Sequence, residues 1–147
     1  MIRNKSKGFT IIELLVVIAI IAVLAAIVLV NVTAYINKGR NASIKGNLST
    51  LLVNSATFYD LNSSYTDFCI DPNTVSIGEA IGDAGGSEPI RCIENTDATE
   101  FCACSALNTT TSEPAGTTFC VDSAGNKKQT SNACATACPS GVNSLCV

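Results

Sequence analysis

From Leu14 to Val30 the chain runs for 17 residues without a polar or charged side chain, and with Phe9–Glu13 before it and Val32 behind it the largely apolar stretch reaches 24. At ~1.5 Å per residue, about 20 such residues cross the hydrocarbon of a bilayer, so the pattern predicts a membrane-length helix over 9–32. Beyond it the pattern becomes amphipathic. Ile44, Leu48, Leu51, Leu52, Ala56 and Tyr59 recur at three- and four-residue steps, with Lys38, Arg40, Lys45, Asn47 and Asn54 between them, which predicts a second helical half over 33–60. No proline occurs from Phe9 to Asn62, so the two halves read as one helix of about 50 residues with Gly39 and Gly46 as weak points. Its end falls near "YDLNSSYTDF", where Asp60, Asn62, Ser63 and Ser64 supply turn chemistry.

In the remaining segment, 61–147, "TEFCACSAL" and "TTFCVDSAG" alternate as strands do and are joined by the polar loop "NTTTSEPAG". With a turn at Gly125 and Asn126 they predict an antiparallel sheet of three or four strands. Residues Ile70 to Glu94 read as loop, with a short helix at "SIGEAIG". The whole is of α+β class.

Composition and charge add to this unevenly. The 47% hydrophobic content and mean hydropathy of +0.34 owe most to one segment. Residues 61–147 carry Arg91, Lys127 and Lys128 against ten acids, a net charge of −7, which argues against phosphate binding by this head. All eight cysteines lie there: Cys69, Cys92, Cys102, Cys104, Cys120, Cys134, Cys138 and Cys146. The spacings are CxC and CxxxC and the chain has no histidine, which disfavours zinc knuckles and CxxC redox chemistry. An even number in a small, aromatic-poor head reads instead as a disulfide framework. Cys102 and Cys104 share one face of a strand, so each needs its own non-local partner; the pairing itself is not derivable.

Disulfides need an oxidising compartment, which places the head outside and the amino terminus in the cytoplasm. Lys and Arg on both sides of the apolar run leave the charge rule with little to say. Acidic loops offer oxygen ligands of the kind calcium takes, but no EF-hand pattern occurs and no cofactor is expected. No nucleophile stands beside an evident activating partner, so the chain does not read as an enzyme. Asn-X-Ser/Thr triplets begin at Asn31, Asn41, Asn47, Asn62 and Asn108, of which Asn62 and Asn108 look loop-borne.

Glu13 poses the sharpest question, because a carboxylate inside a membrane segment costs a few kcal/mol and usually has a partner. The next basic residue is Lys38, 25 positions on, or ~37 Å along a helix. Arg3, Lys5 and Lys7 form a basic start, yet the small residue Gly8 precedes the apolar run instead of following it as in a secretory signal. Cutting after Gly8 would leave the helix on the protein and create an amine at Phe9, four residues or ~6 Å from Glu13 along the axis.

The segment "KGFTIIELLVVIAIIAVLAAI" resembles the amino-terminal signature of type IV prepilins and of the pseudopilins of type II secretion and DNA-uptake machines. The resemblance covers residues 1–30, and "FYDLNSSYTDFC" is similar to the helix exit of major pseudopilins and minor pilins. It implies a basic leader at 1–8, cut between Gly8 and Phe9 by a prepilin peptidase that also methylates Phe9. Residues 9–32 then form a transmembrane and filament-core helix, 33–60 an amphipathic half packed on a small antiparallel sheet, and 61–147 the disulfide-rich extracytoplasmic head. Glu13, with Thr10 beside it, becomes an assembly determinant that pairs with the Phe9 amine of a neighbouring subunit. The implied partners are identical or related subunits, the peptidase, an inner-membrane assembly platform and, before assembly, membrane lipid. Many family members carry a proline in the first half of the helix, and this chain has none. Three functions follow: a filament subunit, a pseudopilin of a secretion or DNA-uptake system, or a signal-anchored adhesive or binding domain. Neighbouring machinery, not this sequence, separates the first two.

Overall fold

A computed structural model of the chain describes residues 8–86, 90–141 and 145–147, with the backbone alone at 29–31. The basic leader, with Arg3, Lys5 and Lys7, lies outside the described residues, as does Glu88. The chain divides into two compact units, residues up to Tyr35 and Ile36–Val147.

One helix, α1, runs Ile11–Asn62 over 52 residues. It begins where Thr10 caps it and stops at a left-handed residue, Ser63, whose φ is 55°. The Ser63 N–H donates back to the Tyr59 carbonyl at 2.7 Å, and the Asn62 side-chain amide donates to the Phe58 carbonyl at 2.9 Å. These bonds satisfy carbonyls that a helix end leaves open, and they use the polar residues that predicted the end there.

Within Ile36–Val147, α1 packs its inner face on a four-stranded antiparallel sheet of order β1-β2-β3-β4. The strands are β1 Arg91–Glu94, β2 Phe101–Ala106, β3 Thr118–Asp122 and β4 Lys127–Thr130. Ile44, Leu48 and Leu51 are fully buried against Tyr65, Phe68, Phe101, Ala103 and Val121. The buried stripe continues through Ser55 to Phe58, while Ala56 and Tyr59, expected on it, are exposed. At 100° per residue the series 44-48-51-55-58 holds one narrow face, whereas 52-56-59 drifts around the helix. Phe58, Tyr65, Phe68 and Phe101 stack edge to face or tilted, with centroids 4.8 to 5.8 Å apart.

The stretch expected to be mostly loop holds more structure than its composition suggested. A short 3₁₀ turn spans Phe68–Ile70, and α2 spans Pro72–Asp83, longer than the short helix expected at "SIGEAIG". The Asp71 carboxylate accepts the Asn73 N–H at 2.9 Å, and Pro72 occupies the first turn, both ordinary start signals. Arg91–Glu94 is a strand where loop was expected. Its residues do not alternate in burial, so its order comes from pairing with β2 and not from its own pattern.

Candidate functional site

The start of α1 is a closed hydrogen-bond motif. Glu13 Oε2 accepts from the Thr10 N–H at 2.9 Å and from the Thr10 hydroxyl at 2.7 Å, and the Glu13 N–H donates to Thr10 Oγ1 at 3.3 Å. This is a capping box, Thr-x-x-Glu, in which two donors at the helix start find side-chain acceptors reciprocally. Thr10 thus gives Glu13 polar partners from its own chain. It supplies hydrogen bonds and no charge. Gly8 and Phe9 precede the box and are exposed, Phe9 at 78%.

Behind the box the helix is apolar on every side. Its most apolar 18-residue window has mean hydropathy 3.3 and no buried residue, and it is the only helix among the described residues long and apolar enough to cross a membrane. A helix hydrophobic all round needs an apolar surrounding, either lipid or other helices.

In the head, the sheet's two faces have different chemistry. Period-2 alternation sends Phe101, Ala103 and Val121 towards α1 and Cys102, Cys104 and Cys120 to the other face. There they join a short helix, α3 Cys134–Ala137, and the segment around Cys146. The disulfides are Cys69–Cys92, Cys102–Cys138, Cys104–Cys134 and Cys120–Cys146, and no cysteine is free. Cys102 and Cys104 do find separate, distant partners. Sequence separations of 23 to 36 residues make each worth about 3–4 kcal/mol of loop closure taken singly. Among the described residues the one grouping with metal-ligand spacing is the sulfurs of Cys102, Cys120, Cys138 and Cys146, all of which are in disulfides.

Three polar groups fix the loops to this frame. Asn41 is buried on the inner face of α1; its Oδ1 accepts the Asn108 N–H at 2.7 Å and its amide donates to the Asn108 carbonyl at 2.8 Å. Lys45 Nζ lies 2.8 Å from Glu113 Oε1 and also donates to Gln129 Oε1 at 2.8 Å. Glu113 further accepts from the Thr110 and Ser112 hydroxyls. Lys45 first, then Thr110, hold the Glu113 carboxyl well below the usual carboxylate range, at about 2. The third, Asp122, is fully buried at the β3–β4 turn and accepts from the N–H groups of Ala124, Asn126 and Cys146. Gly125, with φ 86°, makes that turn possible.

Asn41 was missed in the sequence as a buried contact, and the signal that could have found it is a polar residue three positions before Ile44, in line with the apolar stripe. The Lys45–Glu113 pair, 68 residues apart, left no such signal. Of the triplet asparagines, Asn108 already donates its amide to Asn41 and to the Ala84 carbonyl.

Comparison with known proteins bears on the first part of the chain. Residues 3–29 match the model of the prokaryotic N-terminal methylation motif. The chain is similar to the type IV major pilin protein PilA of Myxococcus xanthus (strain DK1622), 36% identical over 64 residues, which are 44% of this chain and 29% of that protein. It is also similar to the type IV major alpha-pilin and to fimbrial protein Q of Moraxella bovis, each 50% identical over 46 residues, 31% of this chain and 29% of the relative. The chain thus spans about 29% of the length of these relatives. No solved structure gives a significant match. The resemblance to the type IV pilin family is supported by family model and relatives alike.

Proposed function

We propose that this chain is a structural subunit of a type IV pilin-like filament and not an enzyme. A prepilin peptidase removes residues 1–8 between Gly8 and Phe9 and methylates the new amine. Residues 9–32 hold the precursor in the inner membrane, amino terminus in the cytoplasm and head 61–147 outside, and an assembly platform then transfers them into a bundle of like helices. The observation that carries this reading is a methylation motif opening directly onto a helix that is apolar on all sides. The relatives named as major pilin and fimbrial protein favour a surface filament over a secretion pseudopilus.

Glu13 sets the register of addition in this reading. The Thr10 box orients the carboxylate at the helix start, and a neighbouring subunit offset along the filament brings its Phe9 amine level with it. Inside an apolar bundle an unpaired carboxylate is costly, so subunits in other registers are disfavoured. Replacement of Glu13 by Ala tests this: processing and membrane insertion persist while surface filaments counted by electron microscopy fall sharply. Normal filament yield, with the variant incorporated like the wild type, would sink the pairing argument.

A further inference from the structure

The head carries complementary chemistry on opposite edges. β1 and β4 close the sheet on its two sides, three strand spacings or ~14 Å apart. On the β4 side Lys127, Lys128 and Gln129 are exposed, and Lys128 Nζ donates to the Cys146 carbonyl at 3.0 Å, which holds that ammonium at the edge. On the β1 side, the Cys69–Cys92 disulfide ties the 3₁₀ turn to the strand, and α2 packs beside it.

Between these elements opens a cleft of about 300 Å³ walled by Ile70, Val75, Gly78, Ile90 and the disulfide, with Glu79 in its lining. Ile70 is 71% exposed and Val75 45%. Gly78 faces Ile90 across the cleft, where a Cβ would sit in ordinary van der Waals contact with Ile90 Cγ1 at 3.4 Å. Asp83, exposed one turn beyond Glu79 on the same helix, adds a second acid on that side of α2. An apolar cleft with an exposed acid in its lining suits a lysine: the methylene stem covers the apolar walls and the ammonium meets the acid. The same lysines discourage strand-on-strand pairing at the β4 edge, so a contact there is made by side chains.

We propose that the β4 edge of one copy docks into the β1-side cleft of a second copy, Lys127 entering the cleft against Glu79 with Lys128 beside it. Donor and acceptor occupy different surfaces, so the contact is head-to-tail and propagates through successive copies instead of closing as a two-fold pair. This rests on the filament reading above and names the head surfaces that meet in it.

The test uses the full chain, reconstituted into liposomes as an equal mixture of unlabelled and ¹⁵N-labelled protein and coupled with a carbodiimide, which joins only adjacent Lys and acid groups. Mass spectrometry then reads mixed-isotope links. The contact predicts links from Lys127 or Lys128 to Glu79 or Asp83 between copies, reduced about tenfold by Glu79→Lys. They return, with reversed partners, when the Glu79→Lys chain is mixed with a Lys127→Glu/Lys128→Glu chain. Absence of these mixed-isotope links, or insensitivity to Glu79→Lys in a chain whose disulfides are intact, overturns the contact. Filament formation is scored separately: links without surface filaments refute the filament reading and leave the contact standing, and filaments without these links do the reverse.

Discussion

Single residues decide how the 107–117 loop is held to α1. The Glu113 carboxyl, lowered from 4.5 to about 2, stabilises the fold while ionised. That contribution is complete above pH ~4.5 and is lost as pH falls through about 2. Taken at face value the shift is worth about 3 kcal/mol, but Lys45 is 29% exposed and solvent screens the pair, so about 1–2 kcal/mol is expected. Urea unfolding of the detergent-solubilised chain should show Glu113→Gln less stable by that amount at pH 7, and the gap closing towards pH 2. A gap independent of pH would contradict the ion pair. Asn41→Ala strands the half-buried Asn108 N–H and costs about 1–2 kcal/mol in the same assay. Neither contact could be placed from sequence, because each joins positions more than 60 residues apart whose proximity exists only in the fold.

Elements were legible where their own pattern specified them. The membrane-length run, the helix end at Asn62 and strands β2 and β3 followed from hydrophobic period and turn residues, and the structure agrees. β1 was not legible, because it has no alternation of its own and is ordered by β2 and by the Cys69–Cys92 bond. The stripe on α1 was read correctly through Leu51 and then drifted, and mutation separates the two versions. Leu51→Ala should cost about 2–5 kcal/mol by opening a core cavity, whereas Ala56→Ser, exposed, should stay within about 0.5 kcal/mol. Equal effects at both positions would put the helix face elsewhere. Ser63 ends α1 in the left-handed region, which an L-residue adopts at a cost of roughly 1 kcal/mol. Ser63→Gly should therefore raise the unfolding midpoint by about 0.5–1 kcal/mol equivalent, and a destabilised variant would argue against that cap.

At the scale of the whole molecule, an apolar helix of membrane length with no buried residue in its most apolar window and a small head closed by four disulfides answer to different surroundings. One needs lipid or like helices, the other an oxidising compartment. Glu13 lies where the first begins. Its Thr10 box explains how the carboxylate is oriented, and in the proposed filament it is polymerisation that explains why a charge is kept there. The most direct measurement is intact-mass and amino-terminal analysis of the chain recovered from sheared cell-surface filaments. The account predicts a polymerised protein that begins at N-methylated Phe9, with all eight cysteines oxidised. A chain that retains residues 1–8, or that stays in the membrane fraction and never enters the filaments, would contradict it.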